Sequence, residues 1–166
     1  AYEIEATGQC LRIQAADARG GFYALQTLKQ IIAHPVDPLP CFFIRDAPAF
    51  AARGIMLDIS RCKVPQMRTL FRMVEKMAAM KLNQLQLYTE HTFAFQNHPQ
   101  VWKAASPMTA EEILELDAHC QKHFIELVPN FNSFGHWERW LKWDRYKVYA
   151  NCPDGFTNSW GTNYPH

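Results

Sequence analysis

The chain has 166 residues, 48% of them apolar, with 17 basic and 16 acidic residues and a formal net charge of +1. That length suits an ordinary domain with a sizeable core, and that apolar fraction excludes a disordered chain. The mixed charges form no basic stripe that would suggest nucleic acid and no basic amphipathic helix that would suggest a membrane surface; no apolar run is long enough to span a bilayer.

Tyr2 and Ile4 alternate with Glu3 and Glu5, and Leu11 to Ala15 alternates with Arg12 and Gln14. Thr7-Gly8-Gln9 between them is turn material, so residues 2–15 read as a hairpin. Gly20-Gly21 opens a predicted helix with Phe22, Leu25, Leu28 and Ile32 as its apolar stripe, ended by Pro35, Pro38 and Pro40. Cys41 to Ile44 reads as a short strand and Asp46-Ala47-Pro48 as a linker. Residues 1–46 therefore look like the C-terminal part of a small α+β domain.

From Arg53 the pattern becomes strand, helix, strand, helix, strand. Arg53-Gly54-Ile55-Met56-Leu57-Asp58-Ile59-Ser60-Arg61 is an apolar run of strand length that ends in an Asp and an Arg. Pro65 marks a helix start, and Met67, Leu70, Phe71, Val74 and Met77 form one core-facing stripe. A second strand is predicted over 84–88, leading into Glu90-His91. The connection from Glu90 to about Met108 is long for a strand-to-helix loop, which points to function. Thr109 and Glu112 have capping-box spacing ahead of Ile113, Leu116 and Cys120. A third strand is predicted over 125–129, leading into Asn130, Asn132 and His136. Trp137, Trp140, Leu141 and Trp143 suggest a short helix, and residues 150–166 show no period. Strands that deliver polar groups at their C-terminal ends, with helices between, describe a parallel α/β enzyme.

Other motifs are absent or weak. The five cysteines lack metal-ligand spacing and read mostly as reduced thiols, which favours a reducing compartment such as the cytoplasm. No signal peptide is visible; the chain opens on Ala1 rather than Met, so the natural N-terminus is expected upstream. His119 and His123 are four apart on a predicted helix, but no Glu follows the first His, so they read as packed or surface side chains. No nucleophile elbow, phosphate loop or dinucleotide fingerprint occurs.

Several stretches resemble glycoside hydrolase family 20, the exo-acting β-N-acetylhexosaminidases. Gly21-Phe22-Tyr23-Ala24-Leu25-Gln26-Thr27-Leu28 resembles the helix of that family's small N-terminal domain. Ile44-Arg45-Asp46-Ala47-Pro48-Ala49-Phe50, followed by Arg53-Gly54, resembles the junction into its barrel. Met56 to Arg61 resembles the first barrel strand, Lys81-Leu82-Asn83 the start of the second, and Gly135-His136 the segment after the third. The resemblance implies an α/β fold: the first three βα units of a (β/α)8 TIM barrel over 47–166, preceded by the end of the small domain. A full barrel takes ~250 residues, whereas about 115 follow the first domain here. The front part of a longer enzyme is therefore expected.

The resemblance further implies removal of terminal N-acetylglucosamine or N-acetylgalactosamine from glycans, with retention. In that scheme the substrate's acetamido oxygen attacks the anomeric carbon, an Asp polarises the amide, and the adjacent Glu protonates the leaving oxygen. No metal or organic cofactor is implied. The chain contains no Asp-Glu dipeptide; Glu111-Glu112 lies in the first turn of a helix, where capping and the helix dipole explain it. The chain alone is thus expected to be inactive, and a non-catalytic sugar-binding or interaction module is the alternative reading. Self-association through an open sheet edge is a further expectation.

By resemblance, Arg53, Glu90 and His136 are the candidate sugar-binding residues, expected together at the C-terminal ends of the strands. Arg53 has a bland alternative, an ion pair with Asp58 or Asp46. Glu90 could also be a surface carboxylate, and His136 a loop-stabilising imidazole. Asp58, His91, Asn132 and Glu138 are candidate supporting residues, Asp58 by orienting its neighbours and His91 with a solvated loop side chain as its alternative. Asn130 and Asn132 stand where acidic residues are common in the family and bring hydrogen bonds without charge. Trp137, Trp140 and Trp143 could offer a sugar-stacking platform or simply pack the short helix.

Overall fold

The structure, a computed structural model, describes residues 1–34, 36–61 and 63–164. In chain order the elements are β1 (Tyr2–Ala6), β2 (Leu11–Ala15), α1 (Ala18–Ala33), β3 (Phe42–Asp46), β4 (Gly54–Asp58), α2 (Met67–Ala79) and β5 (Gln84–Thr89). They continue with α3 (Pro99–Trp102), α4 (Ala110–Lys122), β6 (Glu126–Phe131), α5 (Glu138–Leu141), α6 (Asp144–Lys147), β7 (Phe156–Thr157) and β8 (Asn163–Tyr164). The chain divides into two compact units: Ala1–Ile55, Arg68–Leu85 and Asp117–Leu127 form one, and Met56–Met67, Gln86–Leu116 and Val128–His166 the other.

In the first unit, β1 lies between β2 and β3 in an antiparallel sheet, with Ile4 opposite both Ile13 and Ile44. The period of two buries Tyr2, Ile4 and Ala6 on one face. Helix α1 covers that face with Tyr23 and Ala24. It starts earlier than the paired glycines suggest, because Asp17 caps it: its Oδ1 accepts from the Gly20 amide at 2.6 Å. Its predicted stripe is corrected too. Leu25 is 48% exposed and Ile32 62%, while the small Gly20 and Ala24 sit on the buried face and let the helix approach the sheet. Pro35 lies outside the described residues.

The helix-to-strand connections obey one rule twice. After α2, Lys81 takes a left-handed backbone (φ 59°), its amide bonds Ala78 O, and the Leu82 amide bonds Met77 O. After α4, Phe124 does the same (φ 56°), bonding Gln121 O while Ile125 bonds Cys120 O. Both are Schellman closures, which satisfy the last helical carbonyls and turn the chain directly into the next strand. Neither uses glycine. At Lys81 the ammonium offsets the strain by donating to Asp46 Oδ2 at 2.8 Å and to the Tyr2 hydroxyl at 2.6 Å. Tyr2 in turn donates to Asp46 Oδ2 at 2.6 Å.

Strands β4, β5 and β6 are neighbours in that order. Asn83 donates to Arg53 O at one end of the β4–β5 pair and Ile59 donates to Tyr88 O at the other, so the two run parallel. Glu126 to Asn83 O and Asn132 to Thr89 O make β5 and β6 parallel in the same way. Leu70, Val74, Met77 and Ala78 on α2 are buried, as the stripe predicts, and so are Leu85, Cys120 and Ile125. Strand β6 runs past Pro129 to Phe131, two residues beyond the predicted end. It is the last strand in its sheet, where a missing proline amide can be tolerated.

In the second unit the predicted capping box is present: Thr109 N donates to Glu112 Oε2 at 2.9 Å and Glu112 N to Thr109 Oγ1 at 3.2 Å. The long connection after β5 folds back on itself through a bridge between Phe93 and Met108 and carries α3. Its apolar side chains join α5 and α6 in a cluster of Val101, Trp140 and Tyr146. No helix is long and apolar enough to cross a membrane among the described residues. Cys10, Cys41, Cys120 and Cys152 are free thiols; Cys62 lies outside the described residues.

Two stability measurements follow. A Cβ on Gly54 would lie 2.6 Å from the Gln84 backbone oxygen, so Gly54→Ala must push two strands apart. Urea denaturation is expected to show a loss of about 1–3 kcal/mol. Separately, Lys81 first and Tyr2 second hold the Asp46 carboxyl below its ordinary 3.8. A lowered folded-state pKa stabilises the fold above the unfolded value and loses that contribution as pH falls through the folded one. The gap in melting temperature between wild type and Asp46→Asn is therefore expected to be constant above about pH 5 and to close below it. A pH-independent gap would contradict this.

Candidate functional site

Within the second unit, one arginine gathers the polar ends of the strands. Asp58 is the last residue of β4. Its Oδ1 accepts from the Ser60 amide at 2.8 Å and the Arg61 amide at 3.1 Å, an Asx turn that aims the chain after the strand. Its Oδ2 accepts from Arg61 Nη1 at 2.6 Å. The other arm of that guanidinium, Nη2, lies 2.8 Å from Glu90 Oε1. Arg61 also lies over the Tyr88 ring, 5.3 Å from its centroid. Burial pushes the Asp58 carboxyl up, but Arg61 and the two amides outweigh it and hold the group below its ordinary value. The Arg61 guanidinium, bonded first by Asp58, is held even more firmly protonated than usual.

Glu90 is 7% exposed, so it is not a surface carboxylate. Besides Arg61, its Oε1 accepts from the Tyr88 hydroxyl at 2.8 Å. Its amide donates to Ser60 Oγ at 2.6 Å, and its carbonyl accepts from Trp140 Nε1 at 2.7 Å. Tyr88 extends the network to the third strand, because its hydroxyl also accepts from Asn132 Nδ2 at 2.7 Å. Asn132 Oδ1 then accepts from the Phe134 and Gly135 amides, both at 3.3 Å, shaping the loop that carries His136. Asp58, Arg61, Tyr88, Glu90 and Asn132 thus form one continuous array.

The remaining candidates separate. Arg53 lies apart from this array: it precedes the first residue of β4, whereas Asp58 ends that strand. Its guanidinium is spent on main-chain acceptors, Phe50 O at 2.7 Å, Ala51 O at 3.3 Å and Lys81 O at 2.8 and 3.0 Å, with the Tyr23 hydroxyl at 3.3 Å. These bonds fasten the chain at the strand's start. His91 is not a solvated loop residue. It is 6% exposed, its Nδ1 has no partner among the described residues, and burial, then Arg139, keep the imidazole below its ordinary pKa. His136 is exposed, with a left-handed backbone (φ 56°), and no hydrogen bond joins it to Glu90 or Arg61. Glu138 is exposed in the first turn of α5, where a carboxylate suits the helix dipole. Asn130 donates to Gln86 Oε1 at 3.1 Å, apart from the Arg61 array. Trp137 and Trp140 stack on one another at 5.4 Å, with Trp140 buried, while Trp143 is partly exposed.

The sequence reading missed Arg61 and Tyr88 as members of this array, and the bond from Trp140 to the Glu90 carbonyl beside it. The signal for Arg61 was present: an Asp ends the strand and an Arg follows three positions later. In the first unit His119 and His123 pack together, rings 4.5 Å apart, with Glu75 3.9 Å from His119 Nε2. Among the described residues no three His, Cys, Asp or Glu side chains gather as metal ligands.

Comparison with known proteins sets this geometry in a family. Residues 1–47 match "Glycosyl hydrolase family 20, domain 2", and residues 50–164 match "Glycosyl hydrolase family 20, catalytic domain". A "Beta-hexosaminidase" of Akkermansia muciniphila is 27% identical over 157 residues, covering 82% of this chain and 32% of the relative. An "N,N'-diacetylchitobiase" of Vibrio harveyi is 36% identical over 89 residues, 53% of this chain and 10% of the relative. Among solved structures, a β-N-acetylhexosaminidase crystal structure matches with a TM-score of 0.78 and 26% identity, over 89% of this chain and 35% of that one. The chitobiase of Flavobacterium johnsoniae matches at 0.74 and 26%, over 84% of this chain and 23% of that one. The chain therefore spans about a third or less of the length of these proteins.

The Tyr88 hydroxyl can be tested alone. Tyr88→Phe keeps the ring under Arg61 but removes one partner each from Glu90 and Asn132. Chemical denaturation is expected to show a loss of about 1–2 kcal/mol. An unchanged midpoint would mean the hydroxyl does not join the strands.

Proposed function

Because the chain belongs to glycosyl hydrolase family 20, we propose that it supplies the sugar-binding front of an enzyme that removes terminal β-linked N-acetylhexosamine. Residues 1–46 are read as the end of a small α+β domain and residues 47–166 as the first three βα units of a TIM barrel. The observation that carries this reading is the Arg61 array at the ends of β4, β5 and β6. A parallel α/β sheet binds its ligands there.

In this reading Arg61 and Glu90 contact the hydroxyls of the terminal sugar. A guanidinium fork donates to two adjacent oxygens, and a carboxylate accepts from two adjacent hydroxyls. Arg61 takes the role that the sequence gives to Arg53. Asp58 and Asn132 orient the pair, His91 packs beside Glu90 as a neutral ring, and Glu138 supports the loop at α5. His136, exposed in the loop after β6, remains a proposed contact. The partners are N-acetylglucosamine or N-acetylgalactosamine glycans.

Retaining, substrate-assisted hydrolysis needs an Asp to polarise the acetamide and a neighbouring Glu to protonate the leaving oxygen. The chain has no Asp-Glu dipeptide, so we propose that this polypeptide binds sugar without cleaving it. A non-catalytic sugar-binding module is the second reading. Exposure of Ile55 (40%) and Met56 (59%) on β4 supports the barrel reading, since parallel strands are ordinarily covered on both faces. The same exposed strand supports self-association of the chain in isolation.

Titration with N-acetylglucosamine, followed by protein NMR, tests the assignment. Arg61→Ala is expected to weaken binding at least tenfold, about 1.4 kcal/mol. Arg53→Ala is expected to lower the melting temperature and leave the affinity of the folded protein unchanged. The reverse pattern would restore Arg53 and remove Arg61. A chromogenic N-acetylglucosaminide should stay intact with this chain.

A further inference from the structure

We propose that Ser60 is a positioning residue for the terminal sugar: its hydroxyl fixes the Glu90 main chain, so that the Glu90 carboxylate meets Arg61 and the sugar's hydroxyls together. The inference rests on the sugar-binding reading above and adds to it the residue that holds Glu90 in place. Ser60 itself touches no sugar in this scheme; it acts through Glu90.

The ladder between β4 and β5 changes character at this point. The Ile59 amide donates to Tyr88 O at 3.1 Å. In a regular parallel pair the Ile59 carbonyl would next accept from the Glu90 amide, two residues past Tyr88. That amide goes instead to a side chain, Ser60 Oγ, at 2.6 Å. A hydroxyl thus stands in for a ladder carbonyl at the residue whose carboxylate Arg61 holds.

Ser60 is held on two further sides. Its amide donates to Asp58 Oδ1 at 2.8 Å, and Thr92 Oγ1 lies 3.0 Å from its hydroxyl oxygen. Thr92 is 3% exposed, and its carbonyl accepts from the Met108 amide at 2.9 Å. A serine hydroxyl has one proton and two lone pairs, and bonds to two partners fix its rotation. The support therefore runs from the turn after β4 to the fold-back of the long connection after β5, within the second unit.

The consequence for Glu90 is geometric. Ser60 takes its amide, Trp140 Nε1 takes its carbonyl at 2.7 Å, and Arg61 and Tyr88 take its Oε1, each at 2.8 Å. An amide gripped on one side and a carbonyl gripped on the other leave the Cα–Cβ bond little freedom. Ser60 and Arg61 are consecutive, so one turn holds both the backbone of Glu90 and its carboxylate. A binding group must stay within ~0.5 Å of its productive place, which a locked neighbour ensures. Without the hydroxyl, the Glu90 amide loses this acceptor, and a long side chain on a looser backbone is held by its tip.

Ser60→Ala tests this through two NMR measurements: titration with N-acetylglucosamine, and the Arg61 guanidinium N–H signals of the free protein. Affinity is expected to fall about fivefold, as for the loss of one net hydrogen bond. The Arg61 signals are expected to move toward those of Glu90→Gln, since both variants loosen the same ion pair. Ser60→Thr, which keeps the hydroxyl, should restore both readouts. A merely structural serine would lower the melting temperature and leave the affinity and the Arg61 signals in place. Should Ser60→Ala not fold, Ser60→Cys, with its weaker acceptor, is read in the same way. If the Ser60 variant binds as the wild type does, or loses affinity with the Arg61 signals unmoved, Ser60 does not position Glu90, and Arg61-dependent binding still upholds the first reading. If N-acetylglucosamine does not bind the wild type, that reading falls and this one with it.

Discussion

The second unit is organised around a single guanidinium held between two carboxylates. Arg61 meets Asp58 on one arm and Glu90 on the other, and rests on Tyr88. Glu90 is nearly inaccessible, and an unpaired carboxylate so placed would cost several kcal/mol. The pairing is prepared by local geometry. Asp58 ends a strand and accepts from the next two available amides, and that turn sets the direction of Arg61. Strand length, turn and ion pair are links of one chain of cause, and the sugar-binding proposal depends on all three.

Much of the fold was legible because its signals are local. Alternation marked the hairpin of β1 and β2, an apolar stripe marked α2, and Thr109 with Glu112 announced α4 through bonds that the structure contains. The helix α1 was legible as an element but not in its start or its facing. It carries two apolar faces, and only contact with the sheet decides that Tyr23 and Ala24 go inside while Leu25 and Ile32 do not. Pro129 read as a stop, but its position on the last strand of a sheet removes the penalty that would have made it one.

The site was legible in part. Glu90, Asp58 and Asn132 were singled out, and the structure joins them, but through Tyr88 and Arg61, which were not. A hydroxyl that links two strands cannot be inferred from one strand's sequence. Burial was equally hidden: a Glu-His pair after a strand looks like an exposed loop, and only the packing of Trp140 and the fold-back of the long connection enclose it.

The proposed exchange of Arg53 for Arg61 rests on position along a strand rather than on residue type. Both arginines flank the same five-residue strand. At its start the chain offers carbonyls, and Arg53 saturates its donors on Phe50, Ala51 and Lys81. Glycine follows because a Cβ at 54 would strike the Gln84 backbone. Arg53-Gly54 therefore acts as a fastening, its guanidinium engaged by main-chain oxygens. At the strand's other end the acceptors are carboxylates on side chains. Carboxylates have lone pairs left for hydroxyls after an arginine has taken its share, which is what the proposed sugar contact at Arg61 and Glu90 requires.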